Sequence, residues 1–242
     1  MSTPEPATGR QIAPGVTQVS VGAPFASHVY LVDGPDGSIA FDAGVKGAGP
    51  EILAAAGGRL DRVILSHSHI DHRGAANELG APIYCHPDEV ADAEGDAGRS
   101  YTDFSLIENE QIRQALPQLH AAWDGGPVTI TGTITHGEQI AGFRVIHIPG
   151  HAPGQIALFR ESDRLLLAAD AIYTFDTETA QPAAPRVPHP FSNWDTELAR
   201  ESIRRLIPLQ ASSIWTGHAE PVTGEDIAGQ LVRAAEHGLT RA

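Results

Sequence analysis

Four side chains able to bind a metal ion fall within six residues of one another: His67, His69, Asp71 and His72, in the run Ser66-His67-Ser68-His69-Ile70-Asp71-His72. In an extended segment, positions i and i+2 point the same way, so His67 and His69 can reach one ion together. If the chain then turns into a helix, Asp71 and His72 can face a second. So many polar groups are costly to bury unless a cation compensates. Four specified positions arise by chance about once in 10⁵ positions, so a merely solvated loop is the weaker reading. Three later residues repeat one pattern, a metal-capable side chain just after an apolar run. They are His151 in Pro149-Gly150-His151-Ala152-Pro153-Gly154, Asp170 after Leu165–Ala169, and His218 after Ile214-Trp215-Thr216-Gly217. Glycines beside two of them let the backbone turn sharply and approach an ion.

These residues need strands to end beside them. Val16–Val21, Val29–Val32 and Ile39–Phe41 read as short strands, the last two joined by the turn Gly34-Pro35-Asp36-Gly37. Arg62–Leu65 reads as a buried strand leading into the histidine run, and Pro82–Cys85 as another. Strands are also expected at Val128–Ile130, Phe143–Ile148, Ile156–Phe159, Leu165–Ala169 and Ser213–Trp215. Helices are expected near 50–56, 73–79, 195–206 and 225–236, the third capped by Ser192-Asn193-Trp194-Asp195. Residues of about 87–126 turn acidic and then take helical spacing, which reads as a helical insertion. Strands dominate both halves and helices close each, so an α/β fold of two packed sheets with helices outside is expected. Residues 1 to about 12 read as a flexible tail, and 13–242 as a single domain.

Composition narrows the partners. The 242 residues are ordinary for one domain, and 41% are hydrophobic, enough for a core. A formal charge of −14 disfavours nucleic acid, and no Lys/Arg run builds a local basic patch. No apolar run reaches membrane-spanning length and the N-terminal residues show no export leader, so a cytoplasmic protein without membrane partners is expected. The single cysteine, Cys85, excludes an intramolecular disulfide and reads as a small buried residue rather than a nucleophile. The expected partner is a small-molecule substrate, with the chain a monomer or homodimer.

The order His-x-His-x-Asp-His, Pro-Gly-His-x-Pro-Gly, Asp after a strand, and Gly-His near the C-terminus resembles the metallo-β-lactamase superfamily. Phe41-Asp42-Ala43-Gly44 resembles its first motif. The resemblance covers about residues 15–230 and is weakest in the helical insertion. It implies an αββα metallo-β-lactamase-fold sandwich with a dinuclear site at one edge. It also implies that His67, His69 and His151 hold one ion, Asp71, His72 and His218 the other, and that Asp170 bridges them. Asp42 would orient a ligand, or simply cap a turn. Imidazole and carboxylate ligands without thiolate suit two zinc ions per chain, with iron, manganese or cobalt as alternatives.

Function must come from more than the fold. The best local match is to N-acyl homoserine lactone lactonases, which carry a Tyr three residues after the bridging Asp. Asp170-Ala171-Ile172-Tyr173-Thr174 has that spacing, and Pro149–Phe159 is similar too. Two features depart: Gly217-His218-Ala219-Glu220 stands where the family usually has Gly-His-Asp, and the insertion does not align. The resemblance implies lactone or ester opening by hydroxide formed from a water between two ions. Asp71 would pass its proton to the leaving alkoxide, and Tyr173 would donate to the oxyanion. Tyr173 can equally be a core tyrosine bonded to a backbone carbonyl. A glyoxalase-II-like thioesterase, a β-lactam hydrolase and an iron-dependent sulfur dioxygenase are the alternatives within the fold. Against glyoxalase II, only 242 − 218 = 24 residues follow His218, too few for its C-terminal helical domain. Phe25, Phe104 and Trp123 either line an acyl-chain channel or pack as core. The remaining histidines, 28, 86, 120, 136, 147, 189 and 237, read as structural or surface residues.

Overall fold

The computed structural model describes residues 9–23 and 25–238. They divide into two compact units, 9–97 with His120–Ile134, and Gly98–Leu119 with 135–238.

The first unit is built on a seven-stranded sheet in chain order. Its strands are β1 (Arg10–Ala13), β2 (Val16–Val21), β3 (Ser27–Asp33), β4 (Ser38–Phe41), β5 (Arg62–Ile64), β6 (Ile83–Cys85) and β7 (Gly132–Thr133). β1 to β4 form an antiparallel meander, and β4 to β7 run parallel. Parallel pairing needs crossovers. The first contains α1 (Gly49–Ala55), with Pro50 in its first turn, where a missing N–H costs nothing. The second contains α2 (Ile70–Arg73) and a short 3₁₀ turn at Ala76–Glu78. Because β4 and β5 are parallel, Asp42 and the histidine run leave the sheet at the same edge.

Helix fills the span of the expected insertion: α3 (Val90–Ala93), α4 (Glu110–Trp123) and 3₁₀ turns at Pro87–Glu89, Arg99–Tyr101 and Phe104–Leu106.

The second unit holds a five-stranded sheet of order β14-β11-β10-β9-β8 and a separate hairpin. The sheet strands are β8 (Gln139–Ile140), β9 (Phe143–His147), β10 (Ile156–Arg160), β11 (Leu165–Ala169) and β14 (Ser213–Thr216); the hairpin is β12 (Tyr173–Asp176) with β13 (Gln181–Arg186). β10 is antiparallel to both β9 and β11, and β11 is parallel to β14. The directions of β9, β11 and β14 therefore agree, and His151, Asp170 and His218 all follow strand ends at one edge. Alternate residues of these strands (Ile146, Ala157, Phe159, Leu166, Ala168, Ile214) pack against helices α5 (Thr196–Leu206) and α6 (Ile227–Glu236) through Ala199, Ile203, Leu206, Leu231 and Ala234. The remaining strand residues, Val145, Ile156, Leu158, Leu165 and Leu167, are buried as well. That explains why these strands read as continuous apolar runs.

Some elements differ from the sequence reading. The helix expected over 73–79 is instead the single turn α2 plus a 3₁₀ turn. Gly74 keeps an αR conformation and packs closely on neighbouring backbone: a Cβ there would lie 2.5 Å from Trp123 O and 2.6 Å from Lys46 N. No strand forms over 128–130, because Val128 N–H donates to Ala93 O and Ile130 N–H to Glu94. The β12–β13 hairpin was not anticipated; Pro182 and Pro185 in β13 argue against a strand, and the hairpin pairs with no third strand. The tail expected over 1–12 falls mainly outside the described residues, and its last residues belong to β1. Among the described residues, no helix is long and apolar enough to cross a membrane.

Candidate metal centre

In the first unit, the site begins with Asp42. It follows β4 with φ 69°, a left-handed conformation that Asp tolerates better than most residues. Its carboxylate is buried and fully engaged. Oδ1 accepts Ser66 N–H (2.7 Å); Oδ2 accepts the Ser66 hydroxyl (2.8 Å) and His72 Nδ1–H (2.9 Å). The Ser66 hydroxyl, having donated to Asp42, accepts from His67 Nδ1–H at 2.9 Å. These partners assign both tautomers: Nδ1 carries the proton and Nε2 keeps its lone pair. Asp42 thus tethers two imidazoles, His72 directly and His67 through Ser66. His67 Nε2 lies 3.0 Å from His69 Nδ1, and the His67 and His72 ring centroids are 4.2 Å apart. His67, His69 and His72 are all buried, and half-buried Asp71 sits on the same turn in α2.

Two residues that sequence reasoning missed support this turn. Buried Glu89 accepts Ser68 N–H at 2.8 Å, and its carbonyl accepts the Ser68 hydroxyl. Arg73, 1% exposed, donates to the carbonyls of Asp92, Ala93 and Gly95. No local pattern marks either one, since both partners lie about twenty residues away.

In the second unit, Asp170 is the hub. Its Oδ2 accepts the Tyr173 hydroxyl at 3.0 Å and lies 3.3 Å from His218 Nε2 and 3.6 Å from His151 Nε2. His151 Nδ1 sits 2.9 Å from Asn193 Oδ1. The Asn193 amide nitrogen donates to Pro188 O and Thr196 Oγ1, so its oxygen must face the ring. His151 therefore also presents an Nε2 lone pair. Asn193 lies in the segment expected to cap α5; Asp195 does the capping, accepting Leu198 N–H at 2.9 Å, while Asn193 turns to His151. With its amide oxygen turned inward, buried Gln155 accepts the N–H groups of Asp170 (3.2 Å) and Ala171 (2.8 Å). Tyr173 is buried, stacks on Phe175 at 4.6 Å between centroids, and its hydroxyl donates to Asp170 Oδ2.

Each unit thus gathers buried imidazoles beside a carboxylate, with the tautomer fixed for His67 and His72 in the first and for His151 in the second. That donor chemistry suits a divalent cation and is expensive to bury without one. Some of the other histidines make local hydrogen bonds. His86 and His189 cap 3₁₀ turns, His28 bonds Ser20, and His136 accepts His147 N–H. Burial, with Glu89 and Glu94 nearby, pushes the Cys85 thiol up to about 12, which removes it as a nucleophile. Phe104 packs against Phe191 at 5.8 Å in a small cluster with Ile107 and Leu116, and Trp123 is buried.

Residues 22–218 match the profile of the metallo-β-lactamase superfamily. The chain belongs to that superfamily. Among its relatives is the probable metallo-hydrolase YflN of Bacillus subtilis, 27% identical over 94% of this chain and 92% of that protein. A hydroxyacylglutathione hydrolase of Methylococcus capsulatus is 30% identical over 61% of this chain and 48% of its own length. An N-acyl homoserine lactonase of Bacillus thuringiensis is 28% identical over 64% and 54%. The crystal structure of TTHA1623, in a di-iron-bound form, superposes with a TM-score of 0.64 over 90% of this chain and 97% of that one, at 23% identity. Similarity at that level shows the fold, and the mixed α/β architecture agrees with it.

Proposed function

We propose that the protein is a metal-dependent hydrolase that opens a lactone or a related ester, with N-acyl homoserine lactones as one candidate substrate class. In this reading the two clusters act together. His67, His69 and His151 hold one divalent ion, Asp71, His72 and His218 hold a second, and Asp170 is shared. Bound there, such ions supply a water acidified toward hydroxide near neutral pH and polarise the substrate carbonyl. Zinc fits the ligand set, and iron is the metal named for one structural relative.

The chain's own residues do the rest. Asp42, Ser66 and Asn193 hold three imidazoles in one tautomer, so no reorganisation is needed when a ligand-competent nitrogen is called on. Tyr173 donates a hydrogen bond to the carbonyl oxygen as negative charge develops there. Asp71 takes the proton of the attacking water and delivers it to the departing alkoxide. A lactone then leaves as a tethered alcohol, and the product is a hydroxy acid.

The observation that carries the ester reading is the Tyr173 hydroxyl on Asp170 Oδ2. A phenol donor three residues from the shared carboxylate is already aimed into the cluster. The test is a hydrolysis screen of the zinc-loaded protein against lactones, thioesters, aryl esters, phosphodiesters and β-lactams. Preferential turnover of lactones or simple esters is expected. Preference for thioesters, β-lactams or phosphodiesters, or oxygen consumption with one iron per chain, overturns the ester assignment.

A further inference from the structure

A cavity of ≈ 290 Å³ lies within the second unit, where the β12–β13 hairpin meets α5 and the end of α6. It is near the lower bound of ligand-pocket sizes, which is about 300 Å³. Its polar wall includes Arg186, Arg200, His237, Asp176, Glu178 and His189.

Hydrogen-bond accounting shows which of these groups have capacity to spare. Asp176 Oδ1 accepts the N–H groups of Glu178 (2.9 Å) and Thr179 (3.1 Å), and its Oδ2 accepts Arg186 Nη1. Glu178 accepts the N–H groups of Glu108 (2.9 Å) and Asn109 (2.7 Å) and is paired with His189 Nε2 (3.1 Å). His189 Nδ1 accepts Phe191 N–H. Both acids and His189 are therefore engaged. The two arginines are engaged only in part. Arg186 spends Nε on Ala184 O and Nη1 on Asp176; Arg200 spends Nε on Glu197 and Nη1 on the carbonyls of Ala235 and His237. Among the described residues, neither Nη2 has a hydrogen-bond partner, although Arg200 is only 6% exposed. Guanidinium nitrogens only donate, so the cavity's unspent polar capacity asks for an acceptor.

We propose that this cavity binds a small anionic ligand, its carboxylate or phosphate group received by the Nη2 atoms of Arg186 and Arg200. Guanidinium forks suit such groups, and partial burial strengthens the pairing. Burial first, then the charges of Arg186 and Arg200, hold the His237 imidazole below its ordinary value, so both arginines act electrostatically at one point of the wall. Gly238 completes that wall: a Cβ there would stand 3.7 Å from Arg200 Nη2. Tyr173 also lines the cavity, so an anion there lies against the residue that also bonds Asp170. The anion is either a tail of the substrate or a separate ligand.

The test uses the metal-loaded protein with inorganic phosphate and succinate as probes, against chloride at matched ionic strength. Phenylglyoxal modification, mapped by mass spectrometry, reports each arginine separately. Either probe should slow modification of Arg186 several-fold and leave exposed Arg205 unaffected. Anions captured only at the histidine clusters would leave Arg186 unprotected and overturn the proposal. Arg186→Met, checked for folding by its melting curve, should weaken probe binding about 10- to 100-fold, the equivalent of one charge-assisted hydrogen bond. Arg186→Lys keeps the charge, loses the fork and should show a smaller loss; it carries the test if the Met variant does not fold. Binding unchanged in the variant that folds refutes the site. Competition between succinate and a hydrolysed ester assigns the anion to the substrate, and binding without competition assigns it to a second ligand.

Discussion

Tyr173 and Asn193 touch the same cluster but serve it differently, and substitutions separate their roles. Tyr173→Phe removes one donor and keeps the ring that stacks on Phe175. If the phenol supports the oxyanion, ester turnover should fall by about 10²–10³-fold, the scale for loss of one such donor. Melting temperature and metal content should stay near the parent values. Unchanged turnover with a clearly lower melting temperature would make Tyr173 a packing residue and remove the main support for lactone chemistry. Asn193→Ala instead frees the His151 ring, which Asn193 Oδ1 now fixes at 2.9 Å. Losing such a support typically costs about 10- to 100-fold in metal affinity. Titration against a chromophoric chelator should show that loss at one site and not both. Equal affinity in parent and variant would mean that packing alone orients His151.

At the scale of elements, β11 was legible because it is buried and apolar along its whole length, and β5, β9 and β14 through the short buried apolar stretches at their centres. The motif residues stand just past their ends. Their supports were not legible. Glu89 and Gln155 act through partners set by tertiary packing, and Asn193 reads as a capping residue until its amide is seen on His151. The β12–β13 hairpin was missed because its prolines mimic a loop. Gly150 shows how close an element can approach a motif loop. With φ +137°, its missing Cβ would lie 2.1 Å from Ala199 N at the start of α5. Gly224 also has positive φ, +89°, but faces open space. Gly224→Ala should therefore cost only backbone strain, ~1–3 kcal/mol. Gly150→Ala adds a steric clash of similar size and should shift His151 away from Asp170. Melting curves of the two variants test this, and equal losses would show that the Gly150 loop has room to relax.

For the whole molecule, the question is whether the two clusters load ions as one centre. His67 and His72 in the first and His151 in the second have assigned Nε2 lone pairs, and each cluster includes a carboxylate, Asp71 in the first unit and Asp170 in the second. If the clusters combine as proposed, elemental analysis of protein prepared without chelators should approach two ions per chain. Ions that bind the folded chain and not the unfolded one stabilise it by mass action, by about 4 kcal/mol when free metal is a thousandfold above Kd. Chelation should then lower the melting temperature, and zinc should restore it. His151→Ala and His218→Ala should each remove close to one ion and most of the turnover, because in this reading they serve different ions. The loss from both together should not exceed two. A reproducible ratio of one ion per chain with full activity would refute the dinuclear assignment and point to a mononuclear centre. Near-normal activity in His218→Ala would exclude that residue as a required ligand and overturn the role given to the Gly217-His218 motif.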